Sequence, residues 1–428
     1  MVINRLKLTM MLLSGLLACT GCNATERHDE IELPPLTQPF KQQGLRQSGG
    51  RDMQLKLKHE HKLIHSRSRL NQSAPIAKRD HKVIAKVAAS HRSVSLPNEP
   101  VRGIYVSGWV AGSKKRMQSL IDLVDRTNLN AMVIDVKNDY GQLTYRSELP
   151  AVHAIDGDRH ASISDIKGLL RKLKAKHIYV IGRVVTFKDP LYAKKYPGMA
   201  LQKQSGGVWR DGQGKAWLDP YQKQVRDYNE AIAAEAAALG FDEVQFDYVR
   251  FPDNGSKVDR EVRYSDQQGR SKSDIISLFL REARTVVHNA GARVSADVFG
   301  LVTSSTNDMG IGQSWRAVSG AVDVISPMTY PSHYSTGMYG VKSPDLSPYP
   351  IIRQAMQDAK RRNAIMERSG NQRTASIRPW LQSFTARWVH PHQSYGAEQV
   401  NKQIQAARDQ GIKEFLLWSS NCKYDYRS

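Results

Sequence analysis

From residue 101 onward, short apolar runs alternate with segments whose apolar positions recur at helical spacing. The runs cover residues 104–110, 131–136, 178–185, 244–249, 294–299, 322–328, 377–381 and 415–418. Between them, residues 115–127, 164–175, 222–239, 273–289, 313–319, 350–362 and 397–410 read as helices. Ser162 and Ser164 precede the second helix, and Gly240, Gly291 and Gly411 follow the third, fourth and last, as start and stop signals do. Eight nearly continuous apolar strands alternating with helices predict a parallel sheet covered on both faces. Their number predicts a closed (β/α)8 TIM barrel over residues 101–428. An open doubly wound sheet would carry a Gly-rich phosphate turn, which this chain lacks. Long insertions at 137–162, 186–221 and 250–272 follow the second, third and fourth strands, and so fall on the face where such a barrel binds substrate.

The pattern differs before residue 101. Residues 1–22 carry Arg5 and Lys7, then a short apolar stretch, then small residues and cysteine, the layout of a secretory signal. The stretch is shorter than the roughly 20 residues that a membrane span requires. Leu16-Leu17-Ala18-Cys19 resembles the bacterial lipobox, and Thr20-Gly21-Cys22 offers a competing cleavage point. Either Cys19 or Cys22 is therefore the expected lipidation site, placing the protein on a membrane of the cell envelope, facing the periplasm or the exterior. Residues 23–100 are rich in Gln, Ser, His, Lys and Arg, with no sustained period and too little apolar surface to offset the entropy of ordering. They read as a disordered, flexible basic tether.

The formal net charge is +21. About +2 lies in the leader and about +7 in residues 23–102, leaving roughly +12 on the rest, so the excess is spread over the surface rather than held in a tail. A polyanionic setting such as an envelope surface suits this. No zinc-finger spacing, aromatic RNA-binding run or leucine-zipper heptad is present, and no nucleic-acid partner is expected. The three cysteines make no disulfide framework, and Cys422, the one beyond the leader, reads as a semi-buried small residue.

The candidate chemistry lies at the strand ends. Asp135 ends the second strand, followed by Lys137 and Asp139. The third offers Arg183, the fourth Asp247, Tyr248 and Arg250, the fifth Asp297, the sixth Tyr330, and the eighth Trp418. Trp109 follows the first. Paired carboxylates among aromatics suit glycosidic cleavage, in which one carboxyl stays protonated as acid while the other attacks the anomeric carbon or activates water. Arg250 or Arg183 beside Asp247 would keep that carboxylate ionised. Trp109, Trp209, Trp217, Tyr330, Tyr334 and Trp388 are candidate flat faces for sugar rings. A non-catalytic carbohydrate-binding barrel would use the same aromatics without an acid. No HExxH, GxSxG or Walker A motif occurs, and His390-Pro391-His392 has proline-restricted geometry, so no metal or cofactor is expected.

These motifs carry a resemblance. Arg102-Gly103-Ile104-Tyr105-Val106-Ser107, Val133-Ile134-Asp135-Val136-Lys137-Asn138-Asp139-Tyr140-Gly141 and Phe246-Asp247-Tyr248-Val249-Arg250-Phe251-Pro252 match a bacterial family. So do Val294-Ser295-Ala296-Asp297-Val298-Phe299-Gly300 and Ile325-Ser326-Pro327-Met328-Thr329-Tyr330-Pro331. The chain resembles the glycosyl hydrolase-like domain of unknown function 4015, and the resemblance implies a TIM barrel related to glycoside hydrolases. Family 18 chitinases read D-G-x-D-x-D-x-E on their fourth strand. Laid over this chain, Asp242 and Asp247 match the first and third Asp, Gln245 replaces the second, and Val249 falls on the acid Glu. Valine donates no proton. The barrels of α-amylase and α-galactosidase type are the better analogy, with an Asp nucleophile ending the fourth strand, where Asp247 stands. The resemblance then implies Asp297, in place of their fifth-strand Glu, as acid. Asp135, Lys137, Asp139, Arg183, Tyr248, Arg250, Tyr330, Trp109 and Trp418 are expected to support or contact a polysaccharide substrate.

Overall fold

The computed structural model describes residues 93–370 and 373–427. The leader, its Cys19 and Cys22, and all of the tether before residue 93 lie outside the described residues.

Eight parallel strands close into a barrel: β1 (Arg102–Val106), β2 (Ala131–Lys137), β3 (Tyr179–Val185), β4 (Glu243–Asp247), β5 (Arg293–Phe299), β6 (Val324–Met328), β7 (Ser376–Ile377 with Trp380–Gln382) and β8 (Phe415–Trp418). β8 pairs back onto β1 through Arg102 and Phe415, which closes the ring. The connecting helices are α1 (Lys114–Asp125), α2 (Ile166–Ala175), α3 (Lys223–Leu239), α4 (Lys272–Asn289), α5 (Trp315–Ser319), α6 (Pro348–Arg368) and α7 (Ala397–Asp409). Local signals explain their ends. Ser271 and Asp274 form a capping box that opens α4, and Gly240 stops α3 at φ 113°, a conformation that strains any side chain. No helix among the described residues is long and apolar enough to cross a membrane.

Several boundaries differ from the sequence expectation, four of them with a clear local cause. β1 ends at Val106, because the Ser107 hydroxyl accepts the Val110 N–H and opens a short helix, Gly108–Gly112. α2 is capped by Asp165, not by Ser162 or Ser164. β4 ends at Asp247, since Tyr248 turns out of the strand at φ 49°. β7 is interrupted at Arg378-Pro379, where proline has no N–H for a ladder.

Residues on the two faces of the strands differ in kind. Phe246 of β4 points outward to Phe279 of α4, ring centres 5.1 Å apart. Glu243 and Gln245 face the axis instead. At the base of the barrel Glu243 is paired to Arg378 at 2.8 Å, both fully buried, and Arg378 also reaches Glu414 at 2.9 Å. One layer up, the Gln245 amide donates to Ser326 Oγ at 3.3 Å. The interior is therefore polar, unlike the branched apolar layers common in such barrels. Above it, the loops after β3 and β4 interlock through a two-stranded antiparallel sheet of Gln202–Lys203 and Val262–Arg263.

Candidate active site

Asp135, Arg183, Asp247 and Asp297 lie in the C-terminal halves of four consecutive strands, with Asp247 two residues beyond Gln245, the register partner of Arg183. Asp135 pairs with Arg183, and Asp297 lies one step beyond the Phe246–Ala296 pair, beside Asp247. Arg183 binds both flanking carboxylates. Its Nη1 donates to Asp135 Oδ1 at 2.7 Å, while Nε and Nη2 donate to Asp247 Oδ2 at 3.0 and 2.6 Å. Burial disfavours the guanidinium charge, but Asp247 and Asp135 outweigh it and hold the arginine well above its ordinary pKa. Asp247 Oδ1 accepts the N–H of Tyr248 at 2.6 Å. Asp247 thus accepts three hydrogen bonds, two of them from a guanidinium.

Asp297 has the opposite environment. Its Oδ1 accepts Trp380 Nε1 at 2.8 Å, and no cation is paired to it. Burial, followed by the neighbouring Asp247 charge, pushes its carboxyl well above the usual range. Asp135 is also raised by burial, against the pull of Arg183 and of the Tyr105 hydroxyl, which donates at 2.6 Å. Two adjacent carboxyls, one bound by an arginine and the other raised by burial, are an arrangement that acid–base chemistry can use. Both are deep, at 6% exposure for Asp247 and 2% for Asp297.

Aromatic rings surround the cluster. Trp418 stacks on Tyr105 at 4.2 Å, meets Trp380 edge-on at 5.5 Å, and lies 5.4 Å from the Arg183 guanidinium. Tyr330 is buried beside the carboxyls. Burial and then the charges of Asp297 and Asp247 hold its phenol protonated. Tyr105 and Trp380 escape notice in the sequence because aromatic residues within an apolar run read as core.

The other expected residues are divided. Arg250 does not reach Asp247: its Nη1 bonds Asp253 at 2.7 Å, and its guanidinium lies over Phe299, Trp217 and Tyr248. Tyr248 contributes its backbone N–H to Asp247 and its ring to a contact with Lys188, 4.8 Å away. Asp139 stands at the rim, where its charge acts on Lys188 and Tyr248. Trp109 is 68% exposed on the short helix after β1.

Lys137 departs from its expected substrate contact. It is fully buried, donating to Asp189 at 2.9 Å, Asn229 of α3 at 2.8 Å and the Thr186 carbonyl at 3.4 Å. A register shift between Asp135 and Lys137 pairs the lysine with Val184 and turns it outward. Trp209 and Trp217 are likewise buried, tied by their indole N–H groups to Glu261 and Asp211, each at 2.9 Å, and serve the packing of the interlocked loops. Cys422 is a buried thiol accepting the Ser107 N–H.

Among the described residues, no three His, Cys, Asp or Glu side chains are grouped to hold a metal ion. A cavity of about 260 Å³ lined by Asn128, Ile404, Arg408 and Tyr426 lies beside the N-terminal ends of β2 and β8, away from the carboxyls.

A family model described as "Putative glycosyl hydrolase domain" matches residues 103–424. A hypothetical protein from Ruminiclostridium thermocellum is 38% identical, with a TM-score of 0.42, over 49% of this chain and 98% of its own. The glycoside hydrolase domain of PgaB from Bordetella bronchiseptica shares the fold at a TM-score of 0.53 and 15% identity, over 76% of this chain and 95% of its own. The α-galactosidase of Thermus thermophilus is 12% identical, with a TM-score of 0.45, over 81% and 63%. No curated protein matches the chain.

Proposed function

The chain belongs to this glycosyl hydrolase domain family, and from that premise we propose that it hydrolyses a polysaccharide of the cell envelope or its surroundings. Asp247 acts as nucleophile or base and Asp297 as acid. The observation that carries this reading is the contrast between neighbours: Asp247 is gripped by Arg183, whereas Asp297 is bonded by the Trp380 indole and its carboxyl is raised by burial and by Asp247. The acid would protonate the glycosidic oxygen as the carboxylate approaches the anomeric carbon. Neighbouring strands lie about 4.8 Å apart. Carboxyls at adjacent register positions therefore suit the roughly 5–5.5 Å spacing of a retaining mechanism. Arg183, anchored by Asp135 and Tyr105, orients Asp247 through two N–H groups on one oxygen.

The depth of Asp297 favours a second reading, a non-catalytic carbohydrate-binding barrel. Incubating the purified protein with cell-wall and exopolysaccharide glycans, and measuring new reducing ends, separates the two. Hydrolysis lost in Asp247→Asn and in Asp297→Asn supports the enzyme. Full hydrolysis in Asp247→Asn removes the assignment, and glycan binding with no hydrolysis by the parent leaves the binding protein. The leader sequence supports a lipid anchor at Cys19 or Cys22. Incorporation of labelled fatty acid into the chain, lost when both cysteines are changed to alanine, tests it.

A further inference from the structure

The loops after β6 and β7 carry aromatic groups that neither the barrel core nor the carboxyl chemistry requires. Phe384 and Trp388 stack with ring centres 6.1 Å apart and planes 13° from parallel, and both are only half-buried. Tyr330 meets Phe384 edge-on at 5.5 Å, and His333 meets Tyr330 at 5.2 Å. The shelf therefore begins at the residue that touches the field of Asp297 and Asp247 and runs outward to solvent. His333 Nδ1 lies 3.1 Å from Ser332 Oγ, whereas its Nε2 has no partner in the protein. Burial pushes this imidazole down to about 4, so it is neutral at ordinary pH.

The shelf is rigidly mounted. Gln382 accepts the Ser332 N–H at 3.0 Å and donates to Asp345 at 3.2 Å. Asp345 in turn accepts the Gln393 N–H at 2.9 Å and, through its carbonyl, the Tyr395 hydroxyl at 2.8 Å. Both loops are thus tied to one acid, which lowers the ordering cost of binding.

Resting on the hydrolase reading, we infer that this shelf is a pyranose subsite, with Phe384 and Trp388 as its flat wall. Aromatic faces suit the C–H face of a pyranose, and Tyr330, His333, Phe384 and Trp388 are uncharged, so the subsite takes a neutral sugar. Its continuity with Tyr330 makes the occupant a unit of the same glycan that reaches the carboxyls.

The test uses the full chain carrying Asp247→Asn, labelled with 5-fluorotryptophan, with the Trp388 signal assigned by Trp388→Phe. The probes are short neutral hexose and N-acetylhexosamine oligosaccharides of both anomeric linkages, read by fluorine NMR and calorimetry. An oligosaccharide that binds should move the Trp388 signal. Trp388→Ala should weaken binding roughly tenfold, as loss of a stacking aromatic anchor does, and Trp388→Phe should restore most of it. An oligosaccharide that binds with Trp388 unmoved, and equally well in Trp388→Ala, overturns the subsite and leaves the hydrolase reading standing. No binding of any probe by the Asp247→Asn variant, together with no cleavage of any probe by the parent chain, overturns both.

Discussion

Trp380 Nε1 donates a 2.8 Å hydrogen bond to Oδ1 of Asp297, inside the barrel and one strand removed from it. The carbonyl oxygen of a carboxylic acid is its better acceptor. The bond therefore leaves the acid proton on Oδ2, and the indole acts as a positioning group for the donor. It also pulls the Asp297 pKa down against burial and the Asp247 charge. Trp380→Phe should raise that pKa further, so the alkaline limb of the pH–rate profile moves up by about one unit, the worth of one such hydrogen bond. The maximal rate should fall at the same time. An unmoved limb would show that Asp297 is not the titrating acid.

Burial and the Asp247 charge raise the pKa of the Asp297 carboxyl in the fold, and neither acts on the unfolded chain. Its folded pKa is raised, so the stability it contributes is full below about 3.9, the unfolded value, and is lost as pH rises toward the folded value. Asp297→Asn, a neutral replacement of similar shape, should melt higher than the parent at neutral pH. The difference should grow between acid and neutral pH, which thermal melts across that range will show.

Arg183 serves two buried carboxylates at once. Arg183→Met leaves Asp135 and Asp247 facing each other without a cation and should cost about 3–5 kcal/mol in urea unfolding. Arg183→Lys retains the charge but cannot present separate donors to both acids. It should keep more of the stability and lose most of the hydrolysis.

Lys137 offers the reverse case. Lys137→Met strands Asp189 and Asn229 in the packing between the β3 loop and α3, and should destabilise by about 3–5 kcal/mol. Molecules that fold should bind glycan with unchanged affinity, because the lysine lies outside the carboxyl cluster.

The barrel was legible because apolar runs and helical periods survive in each repeat. Its irregular points were not. The apolar stretch through Trp109 looked like more strand, yet a single serine hydroxyl at Ser107 redirects it into a helix. The site divides in the same way. Asp135, Asp247 and Asp297 announced themselves as charges closing apolar strands. Lys137 follows Asp135 at the same strand end, yet a shift in register between them turns it away from the cluster. Choosing between Arg183 and Arg250 required knowing which side of the wall each faces. Phe384 lies past a strand end in a loop with no period, so its place beside Tyr330 came only from the folded chain.

The ion pair at the base of the barrel joins residues 135 positions apart, Glu243 on β4 and Arg378 on β7, both fully buried. Neither can drift alone in the course of descent, since losing one strands a charge in the core. Among sequences of this family, the two positions should keep their pairing or change as a unit, and their covariation would mark which descendants retain a charged rather than an apolar floor.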